Sequence, residues 1–138
     1  MCIRDSNTIN STAQTYIDEF FSDDDGMEVE LQPFKENSKT GEISHRINTI
    51  VNYKNMEDRT ISSLSGGEKQ RIALAFTLAL AELQQVPFLL LDECTSNLDE
   101  EMTSIIIHYI KKNFECNLVI LIAHQVVTGS FDKVIEIE

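Results

Sequence analysis

Phe88-Leu89-Leu90-Leu91-Asp92-Glu93 sets four apolar residues in a row before two carboxylates. A short run without polar alternation is typical of a parallel strand covered on both faces, and Pro87 punctuates its start. Downstream, Met102, Ile105, Ile106, Tyr109 and Ile110 recur at helical spacing. Glu100 and Glu101 open that helix and Lys111 and Lys112 close it, the charge order a helix dipole favours. Leu118–Ile122 is a second buried run, and Lys133–Ile137 predicts a third strand. The interval between the first two runs suits a strand–helix–strand crossover, so those strands are predicted to be parallel. Open parallel sheets bind ligands beyond the carboxyl ends of their strands. Asp92 and Glu93 should therefore emerge on the same edge as Ala123-His124.

Upstream, Leu64-Ser65-Gly66-Gly67-Glu68 precedes a long apolar-striped segment. Ser65 with Glu68 three residues later is a capping box, which predicts Ser65 as the helix N-cap. Ile72, Phe76, Ala79, Leu80 and Leu83 mark the main buried stripe, widened by Leu74, Ala75 and Leu78. Earlier still, Ala13, Tyr16, Ile17, Phe20 and Phe21 predict an amphipathic helix over Thr12–Phe21, stopped by Asp23-Asp24-Asp25-Gly26. Met27, Val29 and Leu31 alternate with polar residues up to Pro33. Ile43, Ile47, Val51 and Tyr53 are assigned one face of a second strand region, giving an antiparallel hairpin from Met27 to Tyr53. The expected fold is α/β, a parallel sheet with flanking helices plus this hairpin.

Each polar cluster has its own chemistry. Of two adjacent carboxylates, one can hold hydrated magnesium and the other can act as general base on a water. An imidazole at the same edge can donate a hydrogen bond to a phosphate oxygen. Two glycines at a helix start let an anion approach exposed amides and the positive end of the dipole. Taken singly, each has a plainer reading: a capped helix, a solvated strand end, a structural histidine. Their conjunction in this order favours a nucleotide site. The usual companion, Gly-x-x-x-x-Gly-Lys-Ser/Thr, is missing. The five glycines (Gly26, Gly41, Gly66, Gly67, Gly129) include no pair five apart followed by lysine. The chain therefore reads as half of an ATPase site.

The 138 residues suffice for one core, and 42% hydrophobic content is ordinary for a globular protein. No apolar run approaches a membrane span, and the start lacks the apolar core of a signal peptide. Cys2, Cys94 and Cys116 are too few and too scattered for a disulfide framework or metal site, so a reducing cytoplasmic setting is expected, or a nucleoid or nuclear one with DNA. A net charge of −12 argues against a DNA-binding surface of its own. Contact with DNA is expected only through a complete complex.

These stretches resemble the ABC ATPase superfamily and, within it, the SMC-like heads. Leu64–Arg71 is similar to the ABC signature, Phe88–Glu93 to the Walker B strand, Ser96-Asn97-Leu98-Asp99 to the D-loop and His124 to the switch histidine. The resemblance implies that Asp92 holds Mg2+ through water, that Glu93 activates the hydrolytic water and that His124 contacts the γ-phosphate. It implies that Ser65, Gly66, Gly67 and Glu68 form the seat for ATP carried by an opposing head, with Asp99 linking the two sites of a homodimer. Glu68 stands where many transporters have glutamine, as in SMC-like heads, and Cys94 stands where many relatives have proline. The phosphate loop and glutamine loop belong to an amino-terminal lobe, the partner this chain needs to hold ATP.

A helix and hairpin before the signature resemble the carboxy-terminal lobe of an SMC-like head, with residues 1–22 as the end of a returning coiled-coil arm and 23–138 as the lobe. Residues Met1–Ser6 lie outside the resemblance and read as a non-native start. Tyr53–Met56, Leu90–Thr95 and Ile122–Val127 look most like the phage- and virus-type ATPase subunit of the double-strand-break repair exonuclease, which implies a nuclease partner. A chromosome-organising SMC head, an ABC transporter cassette and a module that only caps a partner's ATP are the competing readings.

Overall fold

The computed structural model describes residues 3–21, 26–33, 35–36, 41, 43–44, 47–53, 56–59, 61–114, 118–123 and 131–136. They fall into two compact units, Met1–Gln84 and Gln85–Glu138. The first contains α1 (Ile3–Phe20), β1 (Met27–Gln32), β2 (Lys35–Glu36), β3 (Ile43–Ser44), β4 (Asn48–Tyr53), β5 (Met56–Arg59), a 3-10 turn at Ile61–Ser63 and α2 (Gly66–Leu83). The second contains β6 (Phe88–Asp92), α3 (Glu100–Asn113) and β7 (Leu118–Ile122).

In the first unit the expected hairpin is present: β1 and β4 pair antiparallel from Met27↔Tyr53 to Gln32↔Asn48. Met27, Val29, Val51 and Tyr53 are buried, as alternation requires. Two details differ from expectation. Ile47 lies just outside β4 and is 64% exposed, so it does not share the buried face. A further strand, β5, pairs with β4 through a register shift between Val51 and Tyr53 and makes the sheet three-stranded. Its sequence, Met-Glu-Asp-Arg, carries no alternating signal. The first helix is also longer than periodicity predicts. It begins at Ile3, and periodicity misses its opening turns because they are largely polar, although Ser6 is buried.

Helix α1 packs on α2 and β1. Ala13, Tyr16, Ile17 and Phe20 supply its buried stripe. The Tyr16 hydroxyl donates to Glu82 at 2.8 Å. Burial, this hydrogen bond and the Glu82 charge together push the phenol well above its ordinary range. The last turn of α1 has no basic residue of its own. Arg71 of α2 takes that role, donating to the Phe20 carbonyl at 2.7 Å while its guanidinium lies 3.9 Å from the Phe21 ring centroid. Phe21 in turn meets Tyr53 edge-on at 6.3 Å. A charge-assisted hydrogen bond at a helix C-terminus plus a cation–π contact suggests that Arg71→Ala costs about 2–3 kcal/mol. Urea unfolding checks this, and a loss below about 0.5 kcal/mol would show the arginine to be dispensable.

Helix α2 keeps a broad buried face, but not the one centred on its largest residues. Ile72, Leu74, Ala75, Leu78, Ala79 and Ala81 are buried, whereas Leu80 and Leu83 are 40% and 41% exposed. In the second unit β6 and β7 are parallel and in register from Phe88↔Leu118 to Asp92↔Ile122. Helix α3 has Glu100 and Glu101 in its first turn and Lys111 and Lys112 in its last, as expected, and Asp99, which sequence reading did not mark as a cap, is its N-cap. Double-sided burial of the strands does not hold. Leu89 and Leu91 are buried, but Phe88, Leu90, Leu118, Ile120 and Ile122 are 43–62% exposed on the opposite face. A continuous apolar run records that both faces are made for cover, and this chain covers one. Residues 131–136 form no strand, and Val134 and Ile135 are exposed, which corrects the expected third strand. Alternating Val and Ile specify a strand only when a neighbour supplies the ladder.

Candidate functional site

The carboxyl ends of β6 and β7 lie side by side. Asp92 is the last residue of β6 and faces Ile122 in register. The Glu93 amide donates to the Ile122 carbonyl at 2.9 Å, extending the ladder one residue beyond β6. Asp92 and Glu93 are both exposed, at the edge where Ala123 follows β7. His124 lies outside the described residues, so only its chain neighbour is placed.

Glu93 adopts φ +47°, the left-handed region that non-glycine residues seldom occupy. Its carbonyl accepts from the Ser96 amide at 3.2 Å, and the Leu98 amide donates to the Thr95 carbonyl at 3.1 Å. The strand thus turns abruptly into a short bonded connection that ends at Asp99. The Asp99 carboxylate accepts from the Met102 amide at 2.8 Å. The residue assigned to the D-loop is therefore also the cap that starts α3. Burial pushes the Cys94 thiol up to about 11, so it stays protonated and serves as a packed residue in this turn.

A left-handed backbone at a glutamate costs about 1–2 kcal/mol, partly offset in a glycine replacement by its greater unfolded-state freedom. Glu93→Gly is expected to raise stability by about 0.5–1 kcal/mol while deleting the proposed base. Thermal unfolding of the two proteins tests this, and a lower melting temperature for the glycine variant would remove the strain argument.

The Ser65 turn is built as its spacing predicts. Ser65 is extended at φ −64°, ψ 166° and caps α2. Its hydroxyl accepts from the Glu68 amide at 3.2 Å, and the Glu68 carboxylate accepts from the Ser65 amide at 2.7 Å. Burial pushes the Glu68 carboxyl up, but hydrogen bonds from the Ser65 amide and hydroxyl and from Tyr53, with the Arg71 charge, hold it below its ordinary value of 4.5.

A helix start leaves its first four amides without intrahelical acceptors. The capping box satisfies those of Ser65 and Glu68, so the two left over belong to Gly66 and Gly67. Among the described residues, no atom beyond its chain neighbours and its own helix backbone lies within 4 Å of where a Cβ on Gly66 would sit, so packing does not demand glycine there. The open space at Gly66 and the amides at this helix start fit an anionic group such as a nucleotide phosphate. For magnesium, no cluster of three or more ligating side chains exists among the described residues. Asp92 fits as a single carboxylate acting through water, the usual protein share in a magnesium–phosphate site.

The RecF/RecN/SMC N terminal domain model matches residues 3–137. The chain belongs to this family. Uncharacterized protein 050L of Invertebrate iridescent virus 6 is 37% identical over 140 residues, covering 96% of this chain and 13% of that protein. Methionine import ATP-binding protein MetN 2 of Bacillus anthracis is 37% identical over 110 residues, covering 69% of this chain and 31% of that protein. A solved structure from work on ATP-driven dimerization and DNA-stimulated activation of SMC ATPases superposes with a TM-score of 0.75, covering 99% of this chain and 80% of its own, at 23% identity. At that identity it speaks for fold alone: mixed α/β with a parallel sheet, an antiparallel hairpin and flanking helices. The chain thus has the fold of part of an SMC-type head. It spans about one-eighth of the length of the viral relative.

Proposed function

We propose that this chain supplies the carboxy-terminal half of the ATP-binding and ATP-hydrolysing head of an SMC-like DNA-repair protein. The observation that carries the reading is the hydrogen bond from the Glu93 amide to the Ile122 carbonyl, which sets the carboxylate pair beside the end of β7. In this role Asp92 holds the waters of Mg2+, and Glu93 accepts the proton of the attacking water. His124 donates to the γ-phosphate. Bound Mg2+ supplies charge neutralisation at the phosphates. The Ser65 hydroxyl and the Gly66 and Gly67 amides bind the nucleotide of a second head, with Glu68 keeping their helix start in shape and Asp99 linking the two sites. The bare apolar face of β6 and β7 supports a further layer from the amino-terminal lobe, which would also bring the phosphate loop. Residues 1–22 are proposed as the end of a coiled-coil arm, and a nuclease subunit and DNA as partners of the complete complex.

The test is reconstitution. The isolated chain should hydrolyse ATP no faster than background and bind it weakly. Co-expression with the amino-terminal lobe should restore magnesium-dependent turnover. Robust turnover by purified chain alone would overturn the half-site assignment. A transporter cassette is favoured by the similarity to MetN 2, but that similarity covers 69% of the chain, and the α1–β1–β4 arrangement before Ser65 is not what transporter cassettes are expected to place there. A chromosome-organising role shares every motif considered above. The complete reading frame separates the two: a zinc-hook CxxC in a coiled coil favours repair, and a globular hinge favours chromosome organisation.

A further inference from the structure

The free edge of β1 is met by side chains of α1. Asn10 bonds both main-chain groups of Leu31, donating from Nδ2 to its carbonyl at 3.1 Å and accepting its amide at Oδ1 at 3.0 Å. One helical turn later, Gln14 donates from Nε2 to the Met27 carbonyl at 2.7 Å and accepts the Val29 amide at Oε1 at 3.3 Å. Nε2 also reaches Asp18 at 2.7 Å, a tether within α1 that orients the amide. On its other side β1 is paired with β4. A primary amide carries the donor and acceptor of a peptide group, so Asn10 and Gln14 take the place of two rungs of a further strand.

The geometry points to a register lock: the Asn10 and Gln14 amides fix the axial position of α1 against the sheet. Apolar burial of Ala13, Ile17 and Phe20 holds α1 down but is non-directional and tolerates sliding. The amide pairs do not tolerate it. A displacement of α1 by one residue, about 1.5 Å along the axis with a rotation of about 100°, takes both amides off the edge. A displacement of four residues, about 6 Å and a little more than one turn, brings Asn10 to the level Gln14 now holds. Movement of α1 along β1 is therefore stepwise, and α1 and the sheet move together between steps. The inference uses only the first unit and does not rest on the nucleotide chemistry proposed above.

Residue-resolved amide exchange and NOEs on the 138-residue chain test it. Gln14→Leu should speed exchange of the Val29 amide at least about tenfold and leave Leu31 protected, and Asn10→Leu should do the reverse. General loosening would instead speed the buried amides of the unit together. In the double Asn10→Leu/Gln14→Leu variant, helicity by circular dichroism should persist while the α1–β1 NOEs shift by a turn or report more than one register. Unchanged Val29 and Leu31 exchange in the single variants, or one unshifted register in a helical double variant, overturns the inference. Should the double variant unfold, the residue-specific pattern of the single variants decides it.

Discussion

Glu93→Gln, in the chain completed by its amino-terminal lobe, is expected to lower ATP turnover by about 10²–10⁴-fold, the range for loss of a positioned general base. The amide keeps the size of the carboxylate but cannot accept a proton from water. The backbone bonds that hold residue 93, from its amide to Ile122 and from Ser96 to its carbonyl, do not involve the side chain and should survive. ATP binding should persist, and the variant should accumulate as a nucleotide-bound pair of heads. Turnover measured against ATP binding and sedimentation gives the answer. Hydrolysis at the parental rate would move the base to another residue.

Ser65→Arg should abolish ATP-dependent pairing of heads and, with it, hydrolysis, while leaving the fold in place. The substitution removes the hydroxyl that caps Glu68, and loss of an N-cap costs only about 1 kcal/mol. It also sets a long cationic side chain beside the open approach to Gly66, where the opposing nucleotide is proposed to sit. Normal ATP-dependent dimerisation by this variant would reduce the Ser-Gly-Gly turn to a helix cap. To separate the effects, Ser65→Ala should lose the cap's share of stability and retain part of the pairing.

Much of the site was legible because its determinants are local. A capping box needs only residues 65 and 68, and the pair at the end of β6 needs only an apolar run that stops. Glu93 shows the limit of such reading. Its identity and place at the strand end follow from the sequence, but its left-handed backbone does not, since a glutamate advertises no preference for φ +47°. That conformation comes from the amide bond to Ile122 across the sheet and from the turn bonded through Ser96. Asn10 is a second case: it precedes the stretch in which periodicity announces a helix, yet it holds α1 to β1.

The sequence by itself determined the succession of the three helices, the capped start of α2 at Ser65, the charge order along α3 and the parallel pairing of β6 with β7. These follow from short-range spacing, chain polarity and the length of a crossover. Only the tertiary structure decided which faces are covered and which distant groups meet. Phe88 and Leu90 are as apolar as Leu89 and Leu91 but lie bare, because burial depends on what packs against a face and not on the residue alone. Arg71 reaches Phe20, 51 residues away, and Gln14 reaches Met27 and Val29 on the next element, all by directional bonds. Such partners carry no periodic signature, since a side-chain donor or acceptor reads the same whether it faces water or another backbone.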